Sequence, residues 1–420
     1  MYIERLWATN FRCYEQFNIH LQYPGKDATL RFPNINLILG DNGSGKSAVM
    51  KAATLPILGS VLQSSGFRPY MLVRRRRLSG EEQGKSLRSE IRADLICHGQ
   101  EQSSREDPFD QVSWSASIGV VKAQAVLTSP FGEDELNTAR VNPARWERIK
   151  DPNSPAFFLA GYGANRQIEF APTGNSSSRN RKYSARFARV AGLFEESVEL
   201  SSVAAWSELM MSTGRLEEAV SILNSLLPEG TTALQGGEEG VQFSYEGILL
   251  PFAALSDGYR GFIAWVTDLV YQIVSVLPDA KTRRNPKITD VRGVVLVDEI
   301  DLHLHPIWQR TVVPTLSKAF PNIQFLLTTH SPIIAASLER ANIFVAEKDS
   351  EMGRRVEPGH ESIFGLSADQ VLASSYFDVE TSRPEEMVEE LHRLAREAET
   401  NPDSAKKYLS ILARGLERQS

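Results

Sequence analysis

Apolar positions fall into two rhythms along this chain. In the first forty residues Ile3, Leu6, Phe11, Phe17, Ile19 and Leu21 are spaced for short, half-buried strands. Ile35–Leu39 is a short, largely apolar run, the pattern of a strand covered on both faces. Helical spacing follows, with Ala48-Val49-Met50-Lys51-Ala52-Ala53 opening a helix predicted over 47–65. The stretch 66–160 is mixed and carries strand-like pieces at Leu87–Ile96 and Ser113–Ala123. Phe157–Gly163 reads as a further buried strand ending in a glycine turn. Pro172–Ser184 is rich in Ser, Asn, Gly and Arg and reads as a mobile loop. Within 194–228, Leu209, Leu216, Ala219, Val220, Leu223 and Leu226 share one helical face, without heptads long enough for a coiled-coil arm. A strand pair is predicted after residue 235, then an apolar helix over Gly261–Leu277, a polar linker over 279–292, and strand–helix alternation over 293–346. The tail from 383 is charged and helical, with a break near Asn401-Pro402.

Composition narrows the class. At 420 residues the chain can bury a large core. Its 46 Lys and Arg against 52 Asp and Glu argue against a globally basic nucleic-acid binder. Three local clusters stand out: Arg74–Arg77; Arg179, Arg181, Lys182, Arg186 and Arg189; and Lys281, Arg283, Arg284 and Lys287. Each reads first as a solvated face or loop, with nucleic-acid contact as the alternative. No run approaches the roughly 18 apolar residues of a membrane helix, so no membrane partner is expected. Met1–Leu6 has no signal-peptide pattern, and Cys13 and Cys97 give neither a disulfide framework nor metal spacing. The expected setting is reducing and cytoplasmic.

The candidate chemistry begins where the first apolar run ends. Gly40-Asp41-Asn42-Gly43-Ser44-Gly45-Lys46-Ser47 has the G-x-x-x-x-G-K-S spacing, preceded by a strand and followed by a helix. Gly40, Asn42, Gly43, Ser44, Gly45, Lys46, Ser47 and Ala48 are therefore the predicted nucleotide-binding residues. Glycines let backbone N–H groups curl round phosphates, and the helix start adds its positive end. Lys46 would reach the outer phosphates and Ser47 would hold Mg²⁺. A second run, Val294–Val297, ends in Asp298 and Glu299. At the carboxyl end of a central parallel strand, Asp298 is the predicted Mg²⁺ ligand and Glu299 the predicted base for water. Ser256 and Gly258 open an apolar helix as a second anion-friendly terminus. Phe325–His330 is a buried strand ending in a histidine, predicted to emerge at the same sheet edge.

This order of motifs resembles the ABC-type ATPases, in particular the soluble SMC-, RecF- and OLD-type branch (the AAA-15/AAA-21 group). Ile3, Leu6 and Asn10-Phe11-Arg12 are similar to the opening strand and turn of that branch. The resemblance implies that Arg12 approaches the nucleotide and that Ser256, Asp257 and Gly258 are a signature contacting the nucleotide of another subunit. It implies that His330 is the switch histidine, and that Gly161–Gln167 stands in the Q-loop's place, with Arg166 or Gln167 as its side chain. There are departures. Asp257 stands where transporters carry Gly, Tyr259 where they often carry Gln, and Ile300–Pro306 departs from the transporter D-loop. His303 and His305 are read as part of that loop rather than as a metal pair. The segments 255–260, 161–166 and 365–386 are similar to Septu-type anti-phage ATPases.

The expected architecture is α/β: a P-loop head with a parallel core sheet, an N-terminal antiparallel β-subdomain and an inserted mixed lobe. The predicted divisions are 1–65, 66–235, 236–350 and a helical tail over 351–420. The resemblance implies ATP and Mg²⁺ as cofactors, ATP hydrolysis, and a self-associated pair sharing composite sites. It also implies a sensor or regulator role in anti-phage defence, controlling a separate effector such as a nuclease. The tail shows no Asp-x-Asp cluster flanked by apolar strands and no His-Asn-His motif, which places any nuclease on another chain. A RecF-like ATPase acting on nucleic acid, and an ATP-dependent scaffold with little turnover, remain the alternatives.

Overall fold

The structure is a computed structural model that describes residues 1–63, 69–74, 88–98, 101, 110–121, 124–128, 148–149, 151–168, 184–195, 198–235, 241–278, 280, 285–349, 353–377, 379, 385–398 and 401–413. The basic residues Arg75–Arg77, Arg179, Arg181, Lys182, Lys281, Arg283 and Arg284 lie outside them, as does nearly all of the loop expected over 172–184.

The sixteen strands named run β1 (Tyr2–Phe11), β2 (Tyr14–His20), β3 (Ile35–Leu39), β4 (Arg88–Cys97), β5 (Asp110–Val121), β6 (Gln124–Thr128), β7 (Phe158–Tyr162), β8 (Gln167–Ile168), β9 (Glu199–Leu200), β10 (Thr231–Gln235), β11 (Val241–Tyr245), β12 (Ile248–Leu250), β13 (Gly293–Val297), β14 (Ile323–Thr328), β15 (Ile343–Asp349) and β16 (Gly353–Pro358). The central sheet has the order β16-β15-β3-β14-β13-β7, parallel except for β16. Every residue of β3, β7, β13 and β14 is buried, as suits largely apolar strands covered on both faces.

Alternation along these strands feeds two cores. Leu37, Val295, Val297, Phe325 and Leu327 face the core formed with the helices Val203–Ser212, Leu216–Leu226 and Asp257–Val274. Ile38, Val294, Leu296 and Leu326 face the core formed with helix Lys46–Gln63 and the second sheet. That second sheet, β2-β1-β4-β5-β6, is antiparallel. Of the strands within 88–128, β4 pairs directly onto β1, with Tyr2 opposite Ile96 and Thr9 opposite Glu90, and β5 and β6 follow outward. Gln324 spans the two sheets: its amide exchanges two 2.7 Å hydrogen bonds with the backbone of Ile3 and donates to the Gln22 carbonyl.

Two local expectations change. The strand pair after residue 235 is a three-stranded meander, β10-β11-β12. Its last strand is only three residues long and turns back at Glu246-Gly247, both at positive φ as a type I′ hairpin demands. The apolar helix starts at Asp257 rather than Gly261, because Ser256 sits in the extended N-cap conformation.

Two members of the second basic cluster are also corrected. Arg186 and Arg189 are 2% and 6% exposed. Arg186 donates to the carbonyls of Arg148, Asp151, Ser154, Ala156 and Phe157, at 2.7–3.2 Å. It ties down a turn in which Phe157 itself has φ +56°. These two cations are internal struts, neither a solvated face nor a surface for nucleic acid.

Candidate functional site

β3 delivers the chain into a loop of three left-handed glycines, Gly40, Gly43 and Gly45, with φ of +140°, +71° and +106°. A Cβ on Gly45 would meet Cys13 Sγ and Tyr14 Oη at 2.5 Å, so the loop lies tight against the start of β2. A Cβ on Gly43 would meet nothing within 4 Å, which marks the open side of the loop. Ser44 Oγ is buried without a hydrogen-bond partner. Asn42 and Ser47 are exposed. Ala48 is buried, and its N–H donates to the Gly45 carbonyl at 2.8 Å.

Lys46 is 6% exposed, with Nζ donating to the carbonyls of Gly40 (2.6 Å) and Asp41 (3.0 Å). It lies 2.9 Å from His330 Nε2. Burial pulls the Lys46 ammonium below its ordinary pKa, while Asp298 and Glu299 act in the opposite direction. Lys46 and His330 come together although 284 residues separate them, because β14 lies beside β3.

β13 brings the carboxylates to the same edge. Asp298 N–H donates to the Tyr162 carbonyl at 2.8 Å, extending the β7–β13 ladder by one step. Asp298 Oδ1 accepts from Thr328 Oγ1 at 2.5 Å. The same hydroxyl accepts from Glu299 N–H at 2.7 Å. Glu299 then turns the chain at φ +50°, off the strand direction. One step on, Asp301 accepts from Thr329 Oγ1 at 2.5 Å and from His330 N–H at 3.4 Å. Lys46, Asp298, Glu299 and His330 therefore converge where sequence reasoning places them. Thr328, Thr329 and Asp301 were not singled out; two hydroxyls ending an otherwise apolar strand were the available signal.

The other half of the expected constellation lies apart. Ser256 caps helix Asp257–Val274 by position, yet its exposed side chain makes no capping bond. Asp257 is exposed and ion-paired with Arg260. A Cβ on Gly258 would come within 2.5 Å of the His303 carbonyl, so glycine lets the loop after Glu299 approach. Ser256 and Gly258 line a cleft of about 1120 Å³ with Tyr259, His303 and Trp308, and no residue of the glycine loop lines it.

Arg12 is exposed at φ +50°, with its N–H on the Leu72 carbonyl. Gln167 is exposed in β8, paired with Glu199, whereas Arg166 turns inward and donates to the carbonyls of Asp298 and Glu299. His305 caps the short helix Pro306–Gln309 through Nδ1, and no cluster of three metal-binding side chains occurs among the described residues. The donor set fits a magnesium nucleotide. An orphaned buried hydroxyl and three positive-φ glycines surround the loop, and Ser47 and Asp298 supply the hard oxygens Mg²⁺ prefers.

A glycine loop on β3, an Asp-Glu pair on β13 and a histidine on β14 have the arrangement of a P-loop nucleotide-binding head. Residues 245–336 match the family described as "AAA domain, putative AbiEii toxin, Type IV TA system", and residues 6–68 match a second family described as "AAA domain". Beyond these domains, the chain is similar to Septu and retron proteins. It is 25% identical over 352 residues to the Septu protein PtuA of Bacillus mycoides (strain KBAB4), covering 83% of this chain and 41% of the relative. It is 36% identical over 164 residues to the Retron Vc95 probable ATPase of Vibrio cholerae serotype O1 biovar El Tor, covering 39% of this chain and 28% of the relative. The chain thus spans less than half the length of these curated relatives. Among solved structures, an SMC head bound to the C-winged helix domain of ScpA aligns at TM-score 0.44 and 17% identity, over 85% of this chain and 98% of that one. No described helix is long and apolar enough to cross a membrane.

Proposed function

We propose that this chain binds ATP with Mg²⁺ and hydrolyses it in a site completed by a second copy. The observation that carries this reading is the separation of the two half-sites: Lys46, Asp298, Glu299 and His330 converge, while Ser256 faces solvent with its cap bond unused. Bound Mg²⁺ supplies charge neutralisation for the phosphate oxygens. Ser47 and Asp298 would hold it. The buried Lys46 ammonium exchanges its carbonyl partners for phosphate oxygens. The Glu299 carboxylate takes the proton of the attacking water, and His330, beside Lys46, hydrogen-bonds the terminal phosphate. Ser256 and Gly258 approach the partner's nucleotide in a head-to-tail pair. Arg12 flanks the loop through its neighbour Cys13.

The relatives' names support a defence role, with this chain as the nucleotide-dependent regulator of a separate effector, a nuclease being the expected kind, in the cytoplasm. The test is Glu299→Gln. The variant should bind ATP as the parent does, release phosphate at least a hundredfold more slowly, and accumulate as an ATP-dependent dimer in size-exclusion runs. Parental turnover would refute the base assignment. Ser256→Arg should stop turnover and leave nucleotide binding intact; loss of binding would refute the shared site.

A further inference from the structure

The Asp298 and Glu299 carbonyls stand where β13 has run out of ladder. The last register pairs of that strand are Val297 with Tyr162 on one side and Leu327 on the other. Beyond them, Arg166 Nη2 donates to the Asp298 carbonyl at 3.2 Å and to the Glu299 carbonyl at 2.5 Å, the latter also accepting from Leu302 N–H at 3.1 Å. Between those two carbonyls lies the Glu299 φ of +50°, a conformation in which a β-carbon crowds the backbone. Such a residue keeps that conformation only if its surroundings over-determine it. Here the surroundings are Thr328 Oγ1 on the Glu299 N–H and the guanidinium on the carbonyls to either side.

The Arg166 loop is itself braced. It leaves β7 after Tyr162, whose hydroxyl donates to Asp268 Oδ2 at 3.0 Å. Asp268 is 4% exposed, and its other oxygen accepts from Ser201 N–H at 2.8 Å. A Cβ on Gly163 would collide with the Gly192 carbonyl, so the loop has no room to slide. Burial pulls Arg166 down to about 10, while the nearby Asp298, Asp301 and Glu299 favour its charge, so it remains a cation at neutral pH.

We infer that Arg166 is a positioning residue for Glu299. By bridging the main-chain carbonyls of residues 298 and 299, its guanidinium fixes the left-handed turn that aims the Glu299 carboxylate at the attacking water. This differs from the nucleotide-contacting role that the resemblance implies for a Q-loop side chain, because Nη2 of Arg166 is spent on two backbone carbonyls. The inference rests on the hydrolytic reading of the site above. Truncation leaves the Lys46 loop intact and lets the turn at 299 relax, and a carboxylate misplaced by about 1 Å loses about a hundredfold in rate.

The experiment compares Arg166→Met, Arg166→Lys, Glu299→Gln and the double variant Arg166→Met/Glu299→Gln by steady-state phosphate release, nucleotide binding and thermal melting. Arg166→Met should lower kcat about a hundredfold while KM and the Kd for ATP stay within threefold. Arg166→Lys keeps the charge without the fork; it should melt within a few degrees of the parent and still lose at least tenfold in kcat. The double variant should be no slower than Glu299→Gln alone. A rise in Kd for ATP above tenfold in either Arg166 variant would make Arg166 a nucleotide contact and overturn the inference, as would Arg166→Lys at parental kcat. Parental turnover by Glu299→Gln would overturn the hydrolytic reading instead, so the two failures are distinct. If Arg166→Met does not fold, Arg166→Lys alone decides.

Discussion

Replacing Thr328 by valine nearly keeps the shape of a fully buried side chain and removes one oxygen on which two backbone-distant groups depend. That oxygen donates to the Asp298 carboxylate at 2.5 Å and accepts from the Glu299 N–H at 2.7 Å. A hydrogen bond to a charged group contributes about 1.5–3 kcal/mol, and orphaning a buried donor costs about 1–3 kcal/mol. The added methyl offsets about 0.8 kcal/mol. Glu299 is half-exposed, so water takes over part of the freed N–H, and the net loss of stability should lie near 2 kcal/mol. The effect on turnover should be larger, because both carboxylates lose their shared anchor; about a hundredfold is expected for a displacement near 1 Å. Urea midpoints at equal slope measure the first quantity and steady-state phosphate release the second. Thr328→Ser is the control. It keeps the hydroxyl and loses a methyl, for a smaller stability loss of about 1 kcal/mol and near-parental turnover. If valine and serine variants turned over alike, or valine within threefold of the parent, the anchoring role of Thr328 would be wrong.

Three further outcomes follow from the packing. Gly258→Ala puts a Cβ 2.5 Å from the His303 carbonyl, so the loop after Glu299 must shift; turnover should fall at least tenfold with ATP affinity unchanged by calorimetry, and an unchanged rate would show the loop can yield. Arg186→Lys cannot reproduce a fork that meets five carbonyls, and should lower stability by about 3 kcal/mol or more without altering DNA retention on a heparin or DNA column; a parental melting temperature would contradict the strut. His98 is held down from 6.5 to about 4, chiefly by burial and then by the Met1 amine and Arg292. Between those values the unfolded chain binds a proton that the folded chain refuses, so stability is lost as pH falls from 6.5 toward 4 and is unaffected above 6.5. With screening at a partly exposed ring, about 1 kcal/mol should disappear between pH 7 and pH 5, and His98→Gln should flatten that slope in denaturant titrations.

Several parts of the site were legible because their evidence is local. A glycine loop needs only the run before it and the helix after it, and Ile35–Leu39 followed by Gly40–Ser47 supplies both. Val294–Glu299 and Phe325–His330 work the same way, since an unbroken apolar run announces a central strand and the residue after it stands at the functional edge. Pairings across long separations were not legible. Nothing in Arg88–Cys97 says that its partner is β1, because alternation reports a covered face and not a neighbour. The hydroxyls of Thr328 and Thr329 acquire roles only once β13 lies beside β14. Arg186 and Arg189 misled for a related reason: a basic cluster in sequence looks solvated until a turn at 148–157 offers it buried carbonyls.

The position of β3 has a consequence for biosynthesis. It is one of the first strands made, yet its two neighbours in the sheet, β14 and β15, span Ile323–Thr328 and Ile343–Asp349. At roughly 5–20 residues per second, the ribosome delivers them roughly 15–60 s after β3. Throughout that interval β3 has two bare edges, and the glycine loop has no β14 to bring His330 against Lys46. A nascent chain, or one broken off before β14 at residue 323, therefore cannot bring His330 against Lys46. It presents instead an unpaired strand that is apolar except for Asn36, the kind of edge that recruits other chains into aggregates.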